Sequence, residues 1–231
     1  MMAEKVVIGN AELWHGDCRE VLPLLPRFAA VVTDPPYGMA GALDRKPQLD
    51  RNAWGKHYTG TECWPEWDKD TVKDGIAAAL LQSDRAVVWG GQFYILPTTR
   101  CLLTWNKILR NWSSSEAEHA WTNLDKPNRV FDYSHGQLAT EGKHYHPTQK
   151  PVPLMAWCLD QAGRPATVLD PFMGSGSTGV ACVQLGLAFT GIERERGYFD
   201  SACERISRAL AQGSLIPLDK APVAVQQAMV L

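Results

Sequence analysis

Short apolar runs separated by segments of helical periodicity set the pattern of this chain. β-branched and aliphatic residues cluster at Ala11–Trp14, Ala29–Thr33, Arg85–Trp89, Cys101–Trp105, Ala166–Leu169 and Phe189–Ile192, and most of these runs give way to Asp, Glu, Gly or Asn. Near-continuous apolar strands of this kind are covered on both faces, as in a parallel sheet. Between them, Val72, Ile76, Ala79 and Leu80 share one helical face, and Phe199, Ala202, Ile206 and Ala209 share another. Strands alternating with helices predict a single α/β domain spanning residues 1–231, an open sheet with helices on both faces. Ligands of such sheets lie beyond the carboxyl ends of the strands.

Two segments break the alternation. Residues 39–70 are rich in polar residues and Trp, and 121–147 are read as irregular because of Pro127, Gly136, Gly142 and Pro147. Loops this long inside a compact domain are uncommon unless they have a function. The tail after Gln212 carries two prolines and is expected to be peripheral.

Composition narrows the class. With 231 residues, 45% apolar and nine Trp, the chain can bury a substantial core, which excludes a disordered or coiled-coil protein. A formal net charge of -2 gives no global basic field, so a polyanion must be held by local patches. No apolar stretch approaches the roughly 20 residues that span a bilayer, and the N-terminal residues lack the apolar segment of a signal peptide. The six Cys form no CxxC pair, so a reduced, cytoplasmic protein is expected. His144 and His146 are not joined by Cys or clustered acids, and no metal site is assigned.

The segment Thr167–Gly179 reads as strand, tight turn and helix. Gly174, Gly176 and Gly179 have G-x-G-x-x-G spacing, which lets a cofactor approach the backbone closely. Glu193 ends the next strand, where an acid can accept both hydroxyls of an adenosine ribose. Asp170 stands directly before the loop and would repel a pyrophosphate. It suits a cationic cofactor such as S-adenosylmethionine (SAM), which carries an ammonium and a sulfonium.

Asp34-Pro35-Pro36-Tyr37 follows the second apolar run. Consecutive prolines remove two N–H donors, so the turn offers carbonyls without competing donors. A carboxylate, bare carbonyls and an aromatic ring in sequence suit the exocyclic amine of a nucleobase. That amine is a poor nucleophile because its lone pair is delocalised into the ring. Accepting its N–H bonds at the Asp34 carboxylate and the Pro35 carbonyl favours a pyramidal nitrogen, and these bonds strengthen as positive charge develops. Tyr37 would stack on a base swung out of the duplex.

On these residues the chain resembles the permuted, β-type amino-methyltransferases of DNA, in which the Asp-Pro-Pro-Tyr motif precedes the glycine-rich cofactor motif. The resemblance extends over residues 11–208 and includes His15–Cys18, Val87–Gly91, Leu103–Lys107, His146–Pro151 and Asp170–Thr178. It implies a Rossmann-like, mostly parallel seven-stranded sheet with one antiparallel edge strand. It implies SAM-dependent methyl transfer to adenine N6, by direct displacement onto a flipped base of double-stranded DNA, with cytosine N4 as the alternative. Asp34, Pro35, Pro36 and Tyr37 would be catalytic. Asp17 and Cys18 would meet the cofactor adenine and Glu193 the ribose. Asp170, Pro171, Phe172, Gly174, Ser175, Gly176, Ser177 and Thr178 would surround the methionine part together with Asp34. His146, Thr148, Gln149 and Lys150 would extend that wall, Thr148 and Lys150 toward the SAM carboxylate. The family's His-Glu after a late strand is replaced here by Glu118-His119 in reversed order.

Basic residues Arg45, Lys46, Arg51 and Lys56 lie among Trp54, Tyr58 and Trp64, and Lys107 and Arg110 occupy a second stretch free of acids. Such residues are expected to touch DNA phosphates. A homodimer and a cognate restriction enzyme are further expectations from the family. Two other classes account for less. A nicotinamide-dependent dehydrogenase explains Gly174–Gly179 and Glu193 but leaves Asp34–Tyr37 without a role, and a non-catalytic DNA- or SAM-binding module would not need both motifs.

Overall fold

The computed structural model describes residues 3–38, 72–108, 115–134, 137 and 149–213. Among these, nine strands form one sheet: β1 (Glu4–Ile8), β2 (Ala11–His15), β3 (Phe28–Thr33), β4 (Ser83–Trp89), β5 (Leu102–Asn106), β6 (Ala117–Thr122), β7 (Arg129–Asp132), β8 (Thr167–Asp170) and β9 (Ala188–Glu193). Their spatial order is β1-β2-β9-β8-β3-β4-β6-β5-β7. From β2 to β4 every pairing is parallel. β1 runs antiparallel to β2 at one edge, and β6 runs antiparallel to both of its neighbours.

The mostly parallel α/β class therefore holds, while two details of the expected sheet are corrected. There are nine strands among the described residues instead of seven. One of the two reversed strands, β6, lies inside the sheet, because β5 and the short β7 pair beyond it. β7 falls within the stretch read as irregular. Its four residues Arg-Val-Phe-Asp are mostly exposed and carry too few apolar positions to signal a strand.

Helices cover both faces: α1 (Cys18–Val21), α2 (Lys73–Leu81), α3 (Val152–Gln161), α4 (Ser177–Gln184) and α5 (Arg196–Ala211). Alternate strand residues divide between two layers. Val32, Val87, Val168 and Phe189 share a buried cluster with residues of α3, α4 and α5. Val31, Ala86, Leu169 and Ile192 share another with residues of α1 and α2. Close packing of α4 and α5 depends on Gly179, where a Cβ would stand 2.5 Å from Ile206 Cδ1 and 2.7 Å from Phe189 Cε1. Among the described residues no helix is long and apolar enough to cross a membrane.

Ile206 is fully buried. Ile206→Ala is expected to lower the unfolding free energy by about 2–5 kcal/mol, the usual cost of a core cavity, read as a fall in the urea midpoint at unchanged m-value.

Candidate active site

Five neighbouring parallel strands end at one edge of the sheet, and four of them deliver a carboxylate there. In sheet order these are Asp17, two residues after β2, Glu193 ending β9, Asp170 ending β8, and Asp34 directly after β3. Gly90 follows β4 with φ 64°, and a Cβ there would stand 2.1 Å from the Tyr37 ring. The topology thus brings the two sequence motifs together, since β3 and β8 are hydrogen-bonded neighbours.

Asp170 is buried and joins the two motifs. Its Oδ1 accepts from Thr33 Oγ1 at 2.7 Å and from the Phe172 N–H at 3.2 Å, and its Oδ2 accepts from Thr178 Oγ1 at 2.7 Å. Burial raises its pKa, and these three donors recover only part of the shift, leaving it at about 6. Glu193 binds the glycine turn. Its Oε2 accepts from the Gly174 N–H at 2.9 Å and its Oε1 from the Glu195 N–H at 2.7 Å. Burial raises this carboxyl to about 7 against the pull of those bonds.

The rest of the turn is held by its own contacts. Gly176 takes φ 81° at the N-terminus of α4, a conformation natural to glycine. Ser175 and Ser177 are buried. Arg205, on α5, donates to the Ser175 carbonyl at 2.7 Å, to Ser175 Oγ at 2.8 Å and to Ser177 Oγ at 3.3 Å. Ser175 Oγ in turn donates to Gln149 Oε1 at 3.1 Å. These side chains brace the loop from behind. Arg205 was missed in the sequence because a basic residue on an amphipathic helix ordinarily points to water.

Asp17 caps α1, accepting from the Arg19 N–H at 2.9 Å, and pairs with the Arg19 guanidinium at 2.5 Å. Its pKa is lowered, chiefly by the Arg19 side chain. Cys18 lies in the apolar cluster of α1 and α2, and burial pushes its thiol up to about 12. Phe172 packs against the same cluster.

At Asp34 the charges are densest. Tyr37 donates its hydroxyl to Asp34 Oδ1 at 2.5 Å, and Lys150 Nζ lies 2.6 Å from Oδ2. Lys150 also reaches Glu118 Oε2 at 3.1 Å, and Lys107 Nζ lies 2.5 Å from Glu118 Oε1. Burial raises the Asp34 pKa, and Lys150 and Tyr37 do not fully reverse it. For Glu118 burial also acts upward, but Lys150 and Lys107 together outweigh it and hold the carboxyl down to about 2. Burial opposes the Lys150 charge, yet Asp34 and Glu118 keep its pKa well above the usual lysine value. The Tyr37 ring stacks on Phe93 with centroids 4.8 Å apart, and the Tyr94 hydroxyl donates to the Pro36 carbonyl.

Two expectations change. Lys107, expected at DNA phosphates, is not at an exposed surface. It is 7% exposed and bound to Glu118, because the reversed β6 brings Glu118 beside the end of β5. Lys150, expected at a cofactor carboxylate, is shared between Asp34 and Glu118. The Tyr37 hydroxyl also has a partner, which stacking alone would not require. Arg45, Lys46, Arg51, Lys56, Arg110, His146 and Thr148 lie outside the described residues. Phe93 and Tyr94 follow the Gly90-Gly91 pair at a strand end, a position that could have flagged them.

A family model described as DNA methylase, for N6 and N4 methylation, matches residues 98–204. The Escherichia coli (strain K12) protein YubD, named as a methylase, is 42% identical over 219 residues, covering 87% of this chain and 93% of that protein. The chain belongs to the N6/N4 DNA methylase family. The type II methyltransferase M.HinfI of Haemophilus influenzae is 45% identical over 67 residues, 29% of this chain but only 19% of that protein. Among solved structures, the M1.HpyAVI–SAM complex matches with TM-score 0.54 and 22% identity, covering 84% of this chain and 99% of that one. PvuII DNA methyltransferase (cytosine-N4-specific) matches with TM-score 0.54 and 13% identity, over 93% of this chain and 89% of that one. At such identities the likeness establishes a shared fold.

The raised pKa of Asp170 fixes a sign for stability. The folded state binds a proton more tightly than the unfolded chain, so this contribution is present near pH 4 and is lost as pH rises through about 6. Relative to Asp170→Asn, the wild type is expected to gain about 2 kcal/mol between pH 6 and pH 4, measured by urea unfolding of both proteins across that range.

Proposed function

We propose that this protein transfers a methyl group from SAM to N6 of adenine in duplex DNA, acting on a base swung out of the helix. The observation that carries the reading is the convergence of Asp34 and Asp170 at the ends of adjacent parallel strands, tied through Thr33. One motif offers acceptors for an exocyclic amine, and the other builds a turn that fits a nucleoside cofactor.

The fit to SAM rests on the residues of the turn. A Cβ at Gly176 would come within 2.9 Å of Ala202, so the bare backbone follows the close approach of α4 and α5. Glu193, whose carboxylate accepts from the backbone N–H groups of Gly174 and Glu195, retains lone pairs for the ribose hydroxyls. Asp170 gives the adjoining stretch the negative character that a cationic methyl donor requires. When bound, SAM would supply an electrophilic methyl group.

The protein's own part is to prepare the amine. The Asp34 carboxylate and the Pro35 carbonyl accept its two N–H bonds, drawing the lone pair out of conjugation with the ring. As the nitrogen gains a methyl it becomes cationic and more acidic, and the Asp34 carboxylate stands ready to take the proton. Its raised pKa makes it a better base than an exposed aspartate. Tyr37 and Phe93 form a stacked pair to which the base adds a third ring, a contact worth about 1–3 kcal/mol. Contacts to phosphates are assigned to Arg45, Lys46, Arg51, Lys56 and Arg110, and a second copy of the chain would lengthen the grip on DNA. Asp at position 34 favours adenine over cytosine N4.

Expression in a methylation-free host, followed by nucleoside mass spectrometry of its DNA, should yield N6-methyladenine. N4-methylcytosine instead would replace the proposed base, and no modified base would sink the activity. Asp34→Ala should abolish transfer with SAM affinity kept within about threefold, measured by calorimetry, because the carboxylate acts on the amine. SAM affinity should weaken as pH falls below about 7, where Glu193 takes up a proton. Glu193→Gln should lose that dependence and bind less tightly throughout.

A further inference from the structure

Behind Asp34 stands a second carboxylate for which the proposed chemistry has no use. Glu118 lies on the reversed strand β6, and each of its oxygens holds a different lysine: Oε1 holds Lys107 at 2.5 Å and Oε2 holds Lys150 at 3.1 Å. Lys150 then reaches Asp34 Oδ2 at 2.6 Å. The two lysine side chains are only 9% and 5% exposed. Burying ammonium groups is costly unless they are paired on fixed partners, and here four charges alternate in sign and sum to zero.

A lysine stem has four rotatable carbons, so an ammonium with one partner is free to follow any anion that arrives. Lys150 has carboxylates on two sides, and its ammonium lies 5.6 Å from the Trp89 ring centroid and 5.9 Å from that of Tyr37. That enclosure fixes the ammonium, and the ammonium fixes Asp34 Oδ2 while the Tyr37 hydroxyl fixes Oδ1. The plane of the Asp34 carboxylate is then set before any base arrives.

We propose that Glu118 is a positioning residue for methyl transfer: held in turn by Lys107, it grips Lys150 and thereby aims the Asp34 carboxylate at the entering amine. This rests on the proposed amino-methyltransferase reading and adds to it a role for three charged residues. It also places Lys150 with Asp34 in preference to a cofactor carboxylate. The reaction itself gains no new step, since Glu118 neither takes nor gives a proton.

The test uses the full-length protein, labelled SAM and genomic DNA from a methylation-free host. In Glu118→Gln, the single-turnover transfer rate should fall by about 10–100-fold, the scale of loss for a misplaced reacting group. SAM affinity should change by less than about threefold. Lys107→Met should lose rate in the same direction, again with SAM affinity kept.

The pH profile separates aiming from mere packing. Asp34 is faced by Lys150, Tyr37, Glu118 and the more distant Asp170; Lys150 is faced by Asp34, Glu118 and Tyr37, with Cys158 nearby. Lys150→Met removes a cation that favours ionised Asp34, so the acidic limb should move to higher pH. Glu118→Gln removes an anion that disfavours it, so the limb should move to lower pH. Limbs that move together, or not at all, would overturn the proposal. So would a Glu118→Gln enzyme with unchanged rate, or one whose only defect is weak SAM binding. Should Glu118→Gln fail to fold, Glu118→Asp keeps the charge but is too short to reach both lysines, and the same loss of rate is required of it. A wild type that methylates no DNA defeats the functional reading, whereas an active wild type with indifferent variants defeats only this inference.

Discussion

Negative charge must be kept at the carboxyl edge of the sheet without being left alone there. Four carboxylates stand on adjacent strand ends, where an unpaired ion would cost several kcal/mol, and each meets that constraint differently. Asp17 uses a guanidinium, Glu193 uses backbone N–H groups, Asp170 uses two threonine hydroxyls with one N–H, and Asp34 uses an ammonium and a phenol. These choices grade the acidity along the edge: Asp17 is lowered, while Asp170 and Glu193 are raised to about 6 and about 7. The strand order places the graded sites side by side, so the same backbone that builds the core also sorts the chemistry.

The reversed strand β6 contributes as much as the parallel ones. Because it runs against β4 and β5, its beginning, and not its end, meets the carboxyl edge. Glu118, the second residue of β6, therefore sits among groups delivered by strand ends. A parallel strand at the same place in the sheet would bring a different residue there.

Much of this was legible in the chain. The six apolar runs correspond to β2, β3, β4, β5, β8 and β9, with ends shifted by a residue or two, because continuous burial leaves a plain signature. The edge strand β1 and the strands β6 and β7 were not found. Glu118 and His119 interrupt β6 with polar groups, and β1 and β7 are largely exposed. At the site, the convergence of the Asp34 and Asp170 motifs followed from their motif context. The partners of Lys107, Lys150 and Arg205 did not, since side chains distant in sequence meet only through topology. A lysine's charge says that it needs an anion and leaves open which one.

The balanced quartet of Asp34, Lys150, Glu118 and Lys107 also bears on how the molecule meets a polyelectrolyte. Its alternating charges are close together and largely screened from one another's surroundings, so at distances beyond a Debye length, about 8 Å in physiological salt, they project almost no field. The quartet itself neither attracts nor repels a phosphate backbone. Sensitivity of association to ionic strength therefore reports on residues outside the quartet, and these four groups are electrically silent to a strand sliding past them.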